Sequence, residues 1–134
     1  MIDFDDFRNM SVWQLSAEIV IKVYEITAKF SVDERFGLVS DMRRAANSIS
    51  HNIAEGYGRF EAKDKTRFYK TSRGSAYELM SQSFISERLK FMNSEDTNEV
   101  IHKCKNVIKE LNSLIKTLEI NSKRSLQSQS QSQP

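Results

Sequence analysis

The side chains with chemical reach gather in two short stretches. Asn52-Ile53-Ala54-Glu55-Gly56-Tyr57-Gly58-Arg59 and Arg73-Gly74-Ser75-Ala76-Tyr77-Glu78 each set glycine, arginine and glutamate inside sequence that otherwise reads as amphipathic helix. Glycine within a helix costs about 1 kcal/mol relative to alanine, so two such sites mark a junction between neighbouring helices. Asn52, Glu55 and Arg59, at i, i+3 and i+7, share one side of a helix's last turns. Arg73 and Glu78 come near them if the two stretches form a helical hairpin. An unpaired buried charge is costly, so the reading is a structural Glu–Arg network that fixes the register of the hairpin. Contact with a ligand or a neighbouring subunit is the competing reading, and Arg59 is where the two lie closest.

A second set is basic. Arg43, Arg44, Arg59, Lys63, Lys65, Arg67, Lys70 and Arg73 outnumber Glu55, Glu61 and Asp64 in the window 43–73, a balance of +5. Lys63, Arg67 and Lys70 recur at i, i+4 and i+7 on one helix face, with Phe60 and Tyr69 nearby. Cations that neutralise phosphates release counterions, and aromatic faces can stack bases. A solvated helix face is the plainer alternative. The candidate nucleic-acid-binding residues are Arg43, Arg44, Lys63, Lys65, Arg67 and Lys70. The whole chain carries +2, but residues 1–34 balance at −4, 35–90 at +5 and 91–134 at +1.

Other constellations carry less. Glu99-Val100-Ile101-His102 has the spacing of a carboxylate-bridged di-metal motif, but no second copy exists, and His102 falls opposite the apolar stripe of its helix. No metal or cofactor is expected. His51 and Glu55 lack a third partner for acid–base work and read as a surface pair. Cys104 sits in a core row and reads as a packed thiol. Gly56-Tyr57-Gly58 lacks the preceding strand that a phosphate loop requires. No catalytic set emerges, and the chain is expected not to be an enzyme.

Four helices must position these residues, at about 11–28, 33–56, 62–92 and 95–119. In the first, Trp13, Ala17, Val20, Tyr24 and Thr27 form a row flanked by Ile19, Val23, Ile26 and Phe30, with Ser11 as N-cap. Ser31 and Glu34 have capping-box spacing before the second, which carries Phe36, Val39, Met42, Ala46, Ile49 and Ile53 on one face and ends near Gly56. The third sets Phe68, Ser72, Ser75, Leu79, Ser83 and Ser86 in one row, small residues that let a partner approach closely, with Gly74 fitting that role. The fourth, capped by Ser94, spaces Val100, Cys104, Val107, Leu111, Leu114 and Leu118 by alternate fours and threes, widened by Ile101, Ile108 and Ile115. The sum is one all-α domain over residues 1–120, an antiparallel up-down-up-down four-helix bundle. Residues 121–134, ending in Ser–Gln alternation, predict a disordered tail.

One proline and four glycines in 134 residues argue against an all-β fold, and one cysteine excludes an internal disulfide. The longest apolar run, Ile19-Val20-Ile21, is too short to span a membrane. The acidic start is unlike a secretory signal, which makes the cytoplasm the expected compartment.

With the helices placed, the motifs resemble one family. Val12-Trp13-Gln14, Phe36-Gly37-Leu38, Met42-Arg43-Arg44-Ala45-Ala46, Ser48-Ile49, Asn52-Ile53-Ala54-Glu55-Gly56, Gly58-Arg59, Arg73-Gly74-Ser75 and Glu78 run in the order seen in bacterial proteins encoded within intervening sequences of 23S ribosomal RNA genes. Those are related to the accessory variability proteins of diversity-generating retroelements. The likeness spans roughly residues 4 to 118. Ser31 or Val32 stands where the family usually has proline, and Asp41 where it often has glutamine, lowering the positive potential beside Arg43 and Arg44. The resemblance implies a four-helix bundle assembled as a homopentamer, without catalysis. For the retroelement relatives it implies a reverse transcriptase and its template RNA as partners.

The leading expectation is a homo-oligomeric, non-enzymatic scaffold that meets RNA or DNA through basic helix surfaces. The alternative is a protein-interaction adaptor, such as an accessory subunit of a retroelement reverse transcriptase. Asp3, Asp5 and Asp6, with Phe4 and Phe7, would then be its docking arm or would cover a neighbouring subunit.

Overall fold

The structure, a computed structural model, describes the backbone of residues 6–132 and side chains as far as residue 128. Asp3, Phe4 and Asp5 of the expected arm, and residues 133–134 of the expected tail, lie outside the described residues. Four long helices and no strand are found among the described residues: α1 (Ser11–Thr27), α2 (Ser40–Tyr57), α3 (Ala62–Arg88) and α4 (Ser94–Ser132). Each packs on its neighbour in sequence, and α1 closes against α4. Cross-helix partners run in opposite numerical order. Tyr24 meets Asn47 and Thr27 meets Arg43; Ile49 meets Ser72 and Met42 meets Ser86; Lys70 meets Glu119 and Arg73 meets Asn112.

The core is apolar and continuous. Ile19 and Val23 of α1, Met42, Ile49 and Ile53 of α2, Leu79 of α3, and Val107 and Leu111 of α4 are fully buried within it. The α4 stripe is as its spacing predicts, with Val100 and Cys104 buried and Leu114 and Leu118 packed at the edge. On α1 the buried row is Val12, Ser16, Ile19, Val23 and Ile26, one position round from the expected Trp13–Tyr24 row. Ser16 tolerates burial because its hydroxyl donates to the Trp13 carbonyl at 2.6 Å. Tyr24 stays at the rim, where its hydroxyl accepts from Asn47 and its ring takes the Arg43 guanidinium.

The helix ends differ from expectation in informative ways. Ser11 does not cap α1; its hydroxyl donates to Glu110 across the bundle at 2.9 Å. The expected capping box does not close, because the Glu34 carboxylate reaches forward to accept from the Leu38 amide. A 3₁₀ turn (Val32–Glu34) and a wide π-type turn (Arg35–Val39) precede α2, kinked at Gly37 (φ −109°, ψ −112°). The kink leaves Phe36 91% exposed, outside the core it was expected to join.

α3 stops four residues before the expected Met92. The Lys90 amide donates to the Glu87 carbonyl and the Phe91 amide to that of Ser86, both at 2.9 Å, with Lys90 itself left-handed (φ 66°). This Schellman closure satisfies the last carbonyls and turns Phe91 onto Phe30. Asn93, not Ser94, caps α4, its side-chain oxygen accepting from the Asp96 amide at 2.7 Å. α4 then continues past residue 119 to Ser132 as helix, where a structureless tail was expected. This extension has no apolar stripe, and Leu126 on it is exposed.

Cys104 is fully buried, and burial pushes its thiol up to about 12. A raised folded-state value contributes stability that is whole below the thiol's ordinary 9 and is lost as pH rises towards 12. Reaction with a thiol reagent at neutral pH is therefore expected to proceed only as fast as the bundle opens. Colour development that is instead complete within mixing would place the sulfur at the surface.

Candidate nucleic-acid interface

The expected Glu–Arg network does not form. Glu55 and Arg59 pair with each other at 3.3 Å on the surface, and Arg59 also lies over the Phe68 ring at 4.7 Å. Arg73 turns to α4, donating to Asn112 at 2.8 Å, while Glu78 lies 3.8 Å from Arg44 and accepts from Gln82. Asn52 stays on its own helix, donating to the Ser48 carbonyl and hydroxyl. The helical period accounts for this, since five residues separate Arg73 and Glu78 by about 140° round the helix. They cannot both face Glu55.

Small and hydroxylic groups hold the α2–α3 junction instead. The Ser48 and Ser75 hydroxyls lie 2.8 Å apart, and buried Ser72 donates to the Ile49 carbonyl at 2.8 Å. Gly56 sits flat against the ring of Tyr69, where a Cβ would fall 2.5 Å from Cε1. Gly74, expected at this contact, is exposed with nothing within 4 Å of a Cβ. Its place on the helix, roughly 150° from the serine row, already put it outside.

The six candidate cations divide into three groups. Arg43 is committed to the fold: its Nε donates to Thr27 Oγ1 at 3.0 Å, and its guanidinium stacks 4.4 Å over Tyr24. Arg44 is exposed but engaged by Asp41 at 3.3 Å and Glu78. Lys65 caps the end of α2, its ammonium donating to the Tyr57 carbonyl at 2.8 Å and the Gly56 carbonyl at 3.2 Å. A cation there complements the negative end of the helix dipole. Lys63, Arg67 and Lys70 share one exposed face of α3. Since Lys65 meets residues 56 and 57, the start of α3 lies about 20 Å along α2 from Arg43 and Arg44. The expected single patch is therefore two separate places.

The α3 group borders an open cleft of about 960 Å³, closed on its other side by Leu118, Glu119, Ser122 and Lys123 of α4. Lys70 bridges the cleft to Glu119 at 2.9 Å and holds that carboxyl below the usual carboxylate range, with Lys123 and Arg73 adding to the effect. Arg67 lies 3.7 Å from Asp64 and 5.1 Å over Phe68. Lys63 and Lys123 have no carboxylate within ion-pair distance among the described residues. Lys123 belongs to the segment read as tail, and no periodic signal in the sequence places it at this cleft. The close company of Glu119 and Lys70 was equally hidden.

The remaining candidates are dispersed. His102 is exposed beside Asn106, and Glu99 is engaged by Lys22 at 3.0 Å. No group of three or more metal-ligating side chains forms among the described residues. Phe7 packs edge-on against Trp13 and Tyr57, and Asp6 pairs with Arg8, so this half of the expected docking arm folds back onto its own chain. No helix among the described residues is long and apolar enough to cross a membrane.

Comparison with known proteins agrees with the architecture. The crystal structure of a protein of unknown function from the S23 ribosomal protein family of Bacteroides thetaiotaomicron superposes with a TM-score of 0.73. It is 19% identical, and the match covers 78% of this chain and 95% of that one, a likeness of fold. No curated protein matches. The model of the 23S rRNA-intervening sequence protein family matches residues 8–113, most of the bundle, and the chain belongs to that family.

Proposed function

We propose that this protein is a non-enzymatic, homo-oligomeric scaffold, built as an antiparallel up-down-up-down bundle, that associates with RNA or DNA through the basic face of α3. The observation that carries the reading is the placement of Lys63, Arg67 and Lys70 on one exposed helix face beside a cleft. The reversed order of cross-helix partners supports the up-down arrangement. A large apolar set left on the surface supports self-association: Val32, Phe36, Phe84, Ile85 and Leu89 are all exposed. They belong to the end of the bundle where α2 begins and α3 finishes. The pentamer implied by the family resemblance would repeat each basic face five times and raise affinity by avidity. Light scattering reads the assembly's mass directly.

Binding of this kind depends on salt. Three phosphate contacts per protomer give a slope of log K against log salt of about −2 to −3, so a fourfold rise in salt weakens binding roughly 15- to 60-fold. Titrating RNA and DNA at two salt concentrations checks this, and absence of binding at low salt ends the proposal. The adaptor reading, with a reverse transcriptase as partner, draws on the same exposed apolar set. It predicts complexes that survive nuclease treatment.

A further inference from the structure

Resting on the α3 reading, we infer that the cleft between the first turns of α3 and the far end of α4 is a binding site for single-stranded nucleic acid, with Phe60 as its base-stacking platform. Three independent features meet there.

The first is the shape of the charge. Cations stand on both walls, Lys63, Arg67 and Lys70 on α3 and Lys123 on α4, against two carboxylates. Both carboxylates are already engaged, Glu119 by Lys70 and Asp64 by Arg67. The two lysines with no ion pair among the described residues, Lys63 and Lys123, line the cleft from α3 and from α4 and are left for phosphates. A strand threaded between them is contacted from two sides, which a flat patch on α3 alone does not achieve.

The second is the floor. Ala62, Thr66 and Leu118 line the cleft between the charged rims, giving an apolar base under a cationic edge. That order suits a strand whose bases turn inward and whose backbone stays at the rim. A duplex offers only phosphates and sugars to such a slot, its base faces being stacked within.

The third is Phe60, which is 100% exposed, the most exposed aromatic of the described residues. It precedes Ala62 by two residues, so it stands within about 7 Å of the cleft's edge by chain length alone. Its position in the short turn between α2 and α3 gives it no part in the core. Phe68, by contrast, is already engaged by the guanidiniums of Arg59 and Arg67. A basic groove beside a bare aromatic ring is the combination that single-strand binders use, because every base has a stacking face.

This gives the helical extension of α4 a purpose, since beyond Glu119 it contributes no apolar stripe to the bundle and supplies one wall of the cleft. The test is fluorescence anisotropy with a labelled oligouridylate of about 12 nucleotides and a duplex of equal length, on the full chain at low salt. The single strand is expected to bind more tightly than the duplex. Phe60→Ala should weaken single-strand binding about 5- to 150-fold with its salt slope unchanged. Lys63→Gln combined with Lys123→Gln should reduce the slope by about 1.4. All three residues are exposed, and circular dichroism confirms that the variants remain folded. Equal affinity for strand and duplex, unchanged by Phe60→Ala and lowered alike for both by the double lysine variant, overturns the cleft and leaves the α3 reading standing. Failure of the wild type to bind any nucleic acid removes both. Equally tight binding of polyglutamate, insensitive to Phe60→Ala, also overturns the inference and assigns the cleft to an acidic protein segment.

Discussion

Gly56→Val should destabilise the bundle by about 3 kcal/mol and lower its melting temperature by about 10 °C. Even the first added carbon has nowhere to go: a Cβ would lie 2.5 Å from Tyr69 Cε1, 2.9 Å from Cδ1 and 3.1 Å from Cζ. The ring cannot swing aside cheaply, because Tyr69 is only 3% exposed. Valine also brings two γ-carbons into the same contact, so α2 and α3 must part or the ring must leave its rotamer. The intrinsic preference of a helix for valine over glycine is a few tenths of a kcal/mol and does not offset this. Gly74 is the internal control. It is equally helical but open, and Gly74→Ala should stabilise by about 1 kcal/mol. Opposite signs in thermal unfolding followed by circular dichroism are therefore expected. Two stabilising substitutions would mean that Tyr69 does not press on Gly56 and that the helices meet elsewhere.

The contrast between these glycines shows which parts of the fold were legible in the sequence. The α4 stripe was legible because one period runs unbroken for five turns and its faces do not compete. α1 was legible as a helix but not in its rotation, since apolar residues flank both candidate rows and a buried serine bonded to its own backbone disguised the deeper one. The entry to α2 depends on one carboxylate turning forward to Leu38 and on a kink at Gly37, neither of which leaves a periodic trace. Gly74 misleads for a different reason: its residue type suggests close approach, whereas the helical period sets it on the outer face of α3.

Most of the candidate site was legible as composition and little of it as geometry. The cations are dense in residues 43–73, but sequence density does not say which are engaged. Arg43 and Lys65 proved to be fold-stabilising only when Thr27, Tyr24 and the last carbonyls of α2 came into view. The second wall of the cleft lies about fifty residues away, on a helix whose continuation the Ser–Gln composition concealed.

Leu79→Ala should be the more damaging substitution on α3, costing about 3–5 kcal/mol. Beyond Tyr69, nearly three turns earlier, the buried face of this helix is small and polar, with Ser72, Ser75, Ala76, Ser83 and Ser86 around a leucine that is fully buried. Those neighbours cannot spread into the space a leucine vacates. The serines are tied in place, Ser83 donating to the Leu79 carbonyl, Ser86 to that of Gln82 and Ser72 to that of Ile49, each at 2.8 Å. The cavity should therefore persist and its cost fall in the upper part of the usual range. The serines themselves are expected to separate into two kinds. Ser83→Ala removes a hydroxyl that bonds only to its own helix, leaves the carbonyl its backbone partner, and should change stability by less than about 0.5 kcal/mol. Ser72→Ala breaks a buried bond that crosses to the Ile49 carbonyl of α2 and should cost about 1 kcal/mol. Urea titration of the three variants, read with a common m-value, orders them as Leu79, Ser72, Ser83. Should Ser72→Ala cost as much as Leu79→Ala, hydroxyl bonding and not apolar filling would be what joins α3 to the bundle, and the account of the core given by Leu79 would fail.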